Sequence, residues 1–272
     1  VIDYFVGTYL GGRTPNPCVV CNSRIKFDLL MQKAASLGAE VVATGHYARK
    51  LRLPGGGRWA IRQGVDLSKD QSYVLAGLTQ DQIKNALFPL GERTKTEVRE
   101  MAKEWGFEVH DKPESQEICF IEGRYDDFLK SVGVDLPGEG EIVDLSGRVL
   151  GRHPGFYRFT IGQRKGLDIS DRTPYYVVSI DPAANRIVVG KRAHLTRYAL
   201  RLAGMNWMAR PAVGNYEVKI RSRHGKTPAR LAEFDDSTAR VELPLGADAV
   251  TPGQAAVLYD GDTVLGGGWI ES

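Results

Sequence analysis

Three cysteines are the residues of this chain best suited to chemistry. Cys18 and Cys21 lie in Thr14-Pro15-Asn16-Pro17-Cys18-Val19-Val20-Cys21-Asn22, and Cys119 follows far downstream. Two prolines restrict the first loop, and the cap candidates Asn22 and Ser23 predict a helix that begins just after Cys21. At such a helix start, the helix dipole and Lys26 would stabilise a Cys21 thiolate. The spacing therefore allows either a thiol relay through a transient disulfide, or three thiolates that hold a metal or an iron–sulfur cluster.

Structural roles for the cysteines stay open alongside these chemistries. Three cysteines cannot form a four-cysteine zinc site, so a structural zinc would need His46 or a bound ligand as its fourth partner. Taken singly, Cys119 lies between Ile118 and Phe120 and has the surroundings of a buried apolar residue.

Two further motifs place polar groups beside predicted elements. Ala43-Thr44-Gly45-His46-Tyr47 follows a short apolar strand at 41–43, where a glycine lets a ligand approach the backbone. Ser68-Lys69-Asp70-Gln71-Ser72 combines a cation, an acid and an amide before an apolar helix, and it is equally compatible with a helix cap. Neither Gly55-Gly56-Gly57, a predicted hairpin tip, nor Gly266-Gly267-Gly268, a predicted strand bulge, matches a Walker loop or a dinucleotide fingerprint.

The elements that must position these motifs change in type along the chain. Apolar spacing predicts a helix over 25–37 that stops at Gly38, and the capping boxes Thr79/Gln82 and Thr94/Glu97 predict two more. After a helix near Tyr125, β-branched runs at 141–143, 175–180, 186–189, 216–220, 240–243 and 255–259 are typical of small barrels. The predicted fold is α/β plus all-β, with an incomplete nucleotide-binding α/β domain at 1–123, a small central β domain at 124–195 and a C-terminal β-barrel at 196–272.

Composition and charge narrow the function classes. The chain has 272 residues, 42% hydrophobic and 25% charged, which excludes a disordered or collagen-like protein. It has neither a bilayer-spanning apolar run nor the order of a secretory signal, so we expect a cytoplasmic protein without a membrane partner. The net charge of +3 conceals a local charge of +13 over residues 148–230, where 17 Lys and Arg face four acids. Such a basic segment favours a polyanion partner such as nucleic acid.

Taken together, the motifs resemble those of the tRNA-specific 2-thiouridylases of the MnmA type. The resemblance covers nearly the whole chain in the order of the family. The residues that carry it are Gly12-Arg13-Thr14-Pro15-Asn16-Pro17-Cys18-Val19-Val20-Cys21-Asn22 with Ile25-Lys26-Phe27, Ala43-Thr44-Gly45-His46-Tyr47-Ala48-Arg49, Lys69-Asp70-Gln71-Ser72-Tyr73, Ile118-Cys119-Phe120-Ile121, Thr160-Ile161-Gly162-Gln163-Arg164-Lys165-Gly166-Leu167, Thr251-Pro252-Gly253-Gln254 and Gly266-Gly267-Gly268.

The resemblance implies an ATP-dependent replacement of the C2 oxygen of the wobble uridine of tRNA by sulfur. Adenylation would activate that oxygen, Mg²⁺ would accompany ATP, and a persulfide sulfur-donor or relay protein would supply the sulfur. Cys119 is implied to carry the persulfide and Cys21 to be the partner thiol, which would leave a Cys21–Cys119 disulfide after transfer.

The resemblance also implies a set of binding residues. Arg221→Ala is expected to weaken tRNA binding and to flatten its salt dependence by about one contact. Ser222 stands where relatives commonly have an aromatic residue, and Cys18 where some have an acid, so an acid–base role would not pass unchanged to Cys18. The implied contacts are Asn16, Pro17 and Cys18 to the target base, Gly45 to ATP, and His46, Lys69, Asp70, Gln71, Arg221, Ser222 and Gln254 to tRNA.

The chain departs from the family pattern at its beginning. The family starts with a pyrophosphate-binding loop of the Ser-Gly-Gly-x-Asp-Ser type, which these 272 residues lack, so the chain by itself is expected to be an inactive fragment. Two alternatives differ in chemistry. One is an iron–sulfur-dependent tRNA thiolase with Cys18, Cys21 and Cys119 as ligands, and the other is a non-catalytic tRNA-binding protein.

Overall fold

Helices dominate the first part of the chain, as the apolar spacing predicts. The computed structural model describes residues 1–55, 57–111, 118–121, 123 and 125–271. Between α2 and α3 the helix continues as a π-helical segment, Asn22–Leu29. The α-helices in the described ranges are α1 (Ile2–Leu10), α2 (Pro17–Cys21), α3 (Leu30–Ser36), α4 (Gln80–Lys84), α5 (Lys95–Glu104) and α6 (Tyr125–Ser131).

Strands dominate the remainder and form three sheets. Their bounds are β1 (Val42–Ala43), β2 (Ala48–Arg52), β3 (Trp59–Gln63), β4 (Ala86–Leu87), β5 (Gly140–Asp144), β6 (Val149–His153), β7 (Tyr176–Asp181), β8 (Arg186–Gly190), β9 (Thr196–Trp207), β10 (Gly214–Lys219), β11 (Thr227–Phe234), β12 (Thr238–Asp248), β13 (Ala255–Asp260) and β14 (Thr263–Ile270). β1 pairs in parallel with β4, and the central sheet has the order β6-β5-β8-β7. The predicted fold class, α/β plus all-β, is confirmed.

The largest sheet is a closed barrel that carries an extra hairpin. Strands β10, β11, β12, β9 and β14 follow one another, and the pairing of β13 with both β10 and β14 closes the ring. The hairpin β2–β3 joins β14, with Arg62 opposite Thr263. The Asp262 carboxylate also accepts hydrogen bonds from Arg49 and Arg62. Residues 48–63 therefore extend the C-terminal barrel.

Two hydrophobic cores hold the segments that carry the cysteines. Val19 and Phe27, from the helix that contains Cys21, share a core with the hairpin and with Tyr259 and Val264 of the barrel. The second core joins α1 to the central sheet, where Phe5 packs beside residues such as Ile142. The barrel interior forms a third cluster.

Most predicted elements are confirmed, and one helix start is wrong. Both capping boxes are present, at Thr79/Gln82 and Thr94/Glu97. The predicted bulge at the last glycine run appears as a register shift between Gly267 and Trp269 in the pairing of β14 with β9. However, the helix predicted to start at Asn22 already starts at Pro17. The 42–43 strand is not buried, and α3 and α5 bury no residue.

None of the described helices combines the length and the apolar character needed to cross a membrane.

Candidate active site and nucleic-acid interface

The cysteine loop ends in a helix whose first residues differ from the prediction. Asn16 is the N-cap, its Oδ1 accepts a hydrogen bond from Val19 N (3.5 Å), and Pro17 occupies the first helical turn. Cys21 therefore lies one turn into the helix, and the prediction that it lies at the helix start is wrong. A proline is favoured at the first helical position because its missing N–H costs no hydrogen bond there. Asn16-Pro17 was thus the sequence signal for the true start.

Aromatic and amide side chains hold the cysteine loop in place. Asn16, 7% exposed, donates through Nδ2 to the hydroxyl of Tyr73 (3.2 Å). Its backbone N–H donates to the hydroxyl of Tyr4 (3.2 Å). Gln254 of the barrel donates through Nε2 to the carbonyl of Pro15 (2.8 Å). The loop is therefore fixed from α1, from the segment before α4 and from the barrel.

Cys119 lies on a short turn anchored by its aromatic neighbour. The ring of Phe120 packs 5.6 Å from Phe5 and 5.4 Å from Phe128, centroid to centroid. The N–H of Ile121 donates to the carbonyl of Ile118 (3.0 Å), which closes the turn. Cys119 itself is exposed, so the buried apolar role open to it in the sequence is wrong. Residues 112–117, which precede this turn in the sequence, lie outside the described residues.

Cys18 lies close enough to Cys21 and Cys119 for both thiols to influence its pKa. All three are free thiols, with Cys18 exposed and Cys21 half-buried. Although Cys18 is solvent-accessible, partial desolvation by the surrounding protein, and then the neighbouring Cys119 and Cys21 thiols, raise its pKa, while Lys26 opposes that shift. Within the described ranges, no group of three or more His, Cys, Asp and Glu side chains is arranged to hold a metal ion.

A cationic groove of about 830 Å³ lies between the segment 67–71, the start of α5 and the turn after β10. It brings together Gly45, Lys69, Asp70, Gln71 and Ser222, all predicted site residues. The groove also contains cations that the sequence analysis did not assign to the site. They are Lys95, Lys219, Arg223 and Lys226, with His224 beside them.

Asp70 and Gln71 shape this groove through hydrogen bonds inside the protein. The Asp70 carboxylate accepts hydrogen bonds from Gln63 Nε2 (3.0 Å), Gly64 N (3.2 Å) and Ser72 Oγ (2.8 Å). Gln71 Oε1 accepts a hydrogen bond from the N–H of Tyr47 (3.0 Å). Both side chains line the groove while they hold its wall in place, and their predicted contact with tRNA stays a prediction.

The cations of the groove floor are held over aromatic rings. Lys219 is only 9% exposed, and its Nζ lies 5.9 Å from the centroid of the Tyr73 ring. Burial lowers the pKa of Lys219, and Asp70 opposes that shift. Lys226 Nζ lies 5.4 Å from the Tyr259 centroid and 2.7 Å from Glu217. Tyr73 also bonds Asn16, so the groove floor and the cysteine loop share one side chain.

Ion pairs neutralise much of the basic charge of the segment 148–230. Nine of the 17 basic residues at 148–230 pair with acids within the described ranges, for example Arg152 with Glu139 and Arg186 with Glu141. Lys69 and Lys95, which line the groove, lie outside that basic segment. The charge distribution along the sequence therefore predicted a basic surface, but it located only some of the cations that line the groove.

His46 is buried beside the groove. It is 6% exposed, and its ring centroid lies 5.8 Å from that of Phe27 and 6.2 Å from that of Phe88. Its Nδ1 is 2.8 Å from the Thr44 hydroxyl. Burial, and to a lesser extent Lys26, lower the pKa of His46 to about 4. The imidazole is therefore neutral at pH 7, and the tRNA contact predicted for it stays a prediction.

Acid is expected to destabilise the fold through His46. Its folded pKa of about 4 lies below the usual value of 6.5, so between these values the unfolded chain binds a proton that the folded protein excludes. Stability is then constant above pH 6.5 and falls as pH drops toward 4. Between pH 7 and pH 4.5 the wild type should lose about 2–3 kcal/mol more unfolding free energy than His46→Asn, as measured by urea unfolding. Parallel pH profiles for the two proteins would contradict this.

Arg221 joins the barrel to the central unit. Its Nη2 donates to the carbonyls of Ile161 (3.4 Å) and Ala249 (3.2 Å) and to the hydroxyl of Thr251 (2.6 Å). Burial lowers the pKa of Arg221. The structure therefore gives this guanidinium a bracing role that the sequence did not indicate, and its tRNA contact stays a prediction.

Arg221→Ala is expected to lower the unfolding free energy by about 3 kcal/mol, because it leaves three part-buried acceptors without their charged donor. The measurement is urea unfolding, with Arg164→Ala, at an exposed position, as the matched control expected within about 0.5 kcal/mol of wild type. Equal stabilities of the two variants would be incompatible with a bracing role. The salt dependence of tRNA binding by Arg221→Ala tests the predicted contact separately.

The backbone at Gly45 is open to a ligand. Gly45 follows β1, whose carboxyl end lies beside that of the parallel strand β4. A Cβ added to Gly45 would meet only Leu90, at 3.7 Å. Ligands in α/β sheets bind beyond the carboxyl ends of parallel strands, so this position fits a nucleotide contact.

Comparison with known proteins assigns the family. A profile described as the tRNA methyl transferase HUP domain matches residues 1–123. The tRNA methyl transferase PRC-barrel domain matches 126–191, and the aminomethyltransferase beta-barrel domain matches 197–270. A tRNA-specific 2-thiouridylase MnmA of Geotalea uraniireducens is 50% identical over an alignment of 274 positions, which covers 100% of this chain and 73% of the relative. The chain belongs to the tRNA-specific 2-thiouridylase family.

Other thiouridylases agree with this assignment. The MnmA of Solibacter usitatus is 48% identical over 283 residues, covering 100% of the chain and 76% of the relative. That of Koribacter versatilis is 46% identical over 279 residues, covering 99% and 75%. Within this family, the cysteine loop and the cationic groove are the two features whose chemistry needs an explanation.

Proposed function

We propose that the protein is a tRNA-uridine 2-sulfurtransferase that replaces the C2 oxygen of the wobble uridine with sulfur in an ATP-dependent reaction. One observation carries the proposal: Cys18 and Cys21 lie on a helix whose N-cap Asn16 bonds Tyr73, and the Tyr73 ring lies beside Lys219 of the cationic groove. A nucleic acid held in the groove would bring a base to the cysteine loop. The relatives, which are named tRNA-specific 2-thiouridylases, support tRNA as the substrate.

The groove binds the phosphates of tRNA. Lys69, Lys95 and Arg223 supply the charges, while Lys226 pairs with Glu217 and buried Lys219 supports the floor. Cations of this kind provide sequence-independent affinity by releasing condensed counterions. Cys18, exposed on the cysteine helix, then faces the target base, and the buried Asn16 and Pro17 directly before it hold that turn in place.

Sulfur transfer proceeds through Cys119 and Cys21. The Cys119 thiolate takes the terminal sulfur of a donor persulfide, which leaves as a thiol. The Cys21 thiolate then attacks Cys119 Sγ, and the terminal sulfur departs with the bonding pair and bonds to C2 of the uridine. The transferred sulfur is reduced and the two cysteines are oxidised to a disulfide, which an external dithiol reduces before the next cycle.

ATP fits beside Gly45, where the backbone is accessible. ATP with Mg²⁺ supplies the leaving group, so that the C2 oxygen departs on AMP after pyrophosphate is released. The exposed position of Cys119 supports delivery of sulfur by a separate persulfide donor protein. We place this tRNA-modifying activity in the cytoplasm.

The test measures transfer of radiolabelled persulfide sulfur to tRNA by the protein expressed from its natural gene. Label is expected in tRNA with uridine at the wobble position, and it should require ATP. A tRNA with cytidine at that position is the matched control and should stay unlabelled. Tight tRNA binding without ATP-dependent labelling would support the non-catalytic alternative, and stoichiometric iron after anaerobic purification would support the cluster-dependent one.

A further inference from the structure

Lys219 is a buried cation on the outer face of the barrel. It is the last residue of β10, and its neighbours Val218 and Ile220 pack into the barrel interior. Because side chains alternate along a strand, Lys219 points away from the interior, toward the groove that it lines. It is only 9% exposed, and its Nζ lies 5.9 Å from the centroid of the Tyr73 ring. A charged group is therefore held at the floor of the groove, largely out of water.

The charge of this lysine is not balanced inside the protein. Among the residues that the structure describes, none forms an ion pair or a hydrogen bond with Lys219 Nζ. The Asp70 carboxylate favours the charged form, but its oxygens accept hydrogen bonds from other groups, those of Gln63, Gly64 and Ser72. A buried charge without a close partner costs free energy, and burial correspondingly lowers the pKa of Lys219. The ammonium does not stabilise the fold, which indicates that a ligand completes its site.

The surroundings of Lys219 favour a phosphate as that ligand. Three more cations line the same groove: Lys69, Lys95 and Arg223. Such a concentration of positive charge attracts a polyanion. The hydroxyl of Tyr73 accepts a hydrogen bond from Asn16 Nδ2 (3.2 Å), and Cys18 follows Asn16 on the cysteine helix. An anion bound to Lys219 would therefore lie on the same aromatic ring that holds the start of this helix.

We propose that Lys219 binds the tRNA directly, through the phosphate beside the target uridine, and thereby fixes how deeply the anticodon loop enters the groove. The inference rests on the proposed function, because it takes tRNA as the polyanion. Nζ donates to a phosphate oxygen, which supplies the anion that the protein itself does not provide. This contact is confined to one phosphate at the floor of the groove, whereas the cations around it attract the backbone as a whole.

The first test separates a charge that binds a ligand from one that supports the fold. Lys219→Met keeps the apolar part of the side chain over Tyr73, so we expect an unchanged or higher urea midpoint and a tRNA Kd about 10- to 100-fold higher. Lys50→Met is the matched control, because Lys50 Nζ also lies over a ring, 4.9 Å from the Trp59 centroid, but donates to the carbonyl of Lys84 (2.7 Å). The control should lower the urea midpoint and leave the Kd within about twofold of wild type. Lys219→Gln supplies the same comparison if the methionine variant does not fold.

The second test locates the phosphate. RNA stem-loops with the anticodon of a substrate tRNA, each carrying one neutral methylphosphonate near the target uridine, are bound to the wild type and to both methionine variants, all expressed from the natural gene. In the wild type and in Lys50→Met, neutralising the phosphate beside the target should raise the Kd about 10-fold or more. In Lys219→Met the same change should have no further effect, because the two groups act as a pair.

A lower urea midpoint of Lys219→Met with an unchanged tRNA Kd would make Lys219 a structural residue and overturn the inference. Equal sensitivity of the wild type and Lys219→Met to neutralisation of the phosphates beside the target would overturn it as well. If the wild type binds tRNA but transfers no sulfur, the proposed function fails, and the binding data still decide the role of Lys219.

Discussion

Cys21→Ser and Cys119→Ser are each expected to abolish sulfur transfer while tRNA binding stays within about twofold of wild type. A serine hydroxyl can neither carry a persulfide nor close a disulfide, so each substitution removes an obligatory covalent partner. We expect a loss of about a thousandfold or more in transfer rate, as is typical when a covalent catalytic group is removed. The measurement is single-turnover transfer of labelled sulfur to tRNA by the protein expressed from its natural gene.

Cys18→Ser is the matched control, because Cys18 lies on the same helix as Cys21 and is an exposed thiol like Cys119. A two-cysteine relay predicts that this variant keeps transfer within about tenfold of wild type. A three-thiolate cluster predicts instead that all three substitutions are equally damaging. After one turnover without reductant, a Cys21–Cys119 disulfide should appear in the peptide map of the wild type. Unchanged transfer by both Cys21→Ser and Cys119→Ser would exclude the relay.

Local signals in the sequence were sufficient to place most elements. The Thr79 and Thr94 capping boxes predict α4 and α5 because they depend on hydrogen bonds between residues three apart. The β-branched runs predict β10, β12 and β13 of the barrel for a similar reason, since alternation and turn residues are local, whereas β9 and β11 were not predicted. The start of the cysteine helix was missed, although Asn16-Pro17 is a local signal, because Asn22 and Ser23 offered a second set of cap residues.

Non-local contacts explain what the sequence did not reveal. The β2–β3 hairpin joins the barrel through Asp262, which pairs with Arg49 and Arg62 from a distant part of the chain. Helix α1 packs on the central sheet through Phe5, far from it in sequence. Neither contact has a local signature in the sequence. The sequence therefore could not predict that the hairpin joins the barrel or that α1 joins the central sheet.

The same limit applies to the site residues. Motif resemblance selected Gln254 and Arg221, and the structure places both at junctions between units, where they bond backbone carbonyls. The groove cations Lys95 and Lys219 belong to no quoted motif and come together only in the fold. A charge count along the chain cannot show which cations are neutralised by ion pairs, because the acids that pair with arginines such as Arg152 lie outside the basic segment.

The triple substitution Lys69→Ala, Lys95→Ala and Arg223→Ala is expected to weaken tRNA binding on the order of 100-fold at about 100 mM salt. All three side chains line the groove. Each cation that contacts a phosphate adds about 0.7–0.9 to the slope of log K against log salt, so the slope should fall by about 2–3. Filter binding over a series of salt concentrations measures both quantities. Thermal unfolding should change only modestly, because Arg223 is exposed and Lys69 and Lys95 are half-buried.

The matched control removes equal charge from a different surface. Arg148, Arg152 and Arg186 form ion pairs with Asp144, Glu139 and Glu141 on the central sheet. Their replacement by alanine also lowers the net charge by three, and exposed pairs of this kind contribute only about 0–1 kcal/mol each to stability. A long-range effect of net charge would give the two triple variants equal slopes. Phosphate contacts confined to the groove would instead leave the slope of the control unchanged, so a matching loss in both variants would contradict the groove as the tRNA-binding surface.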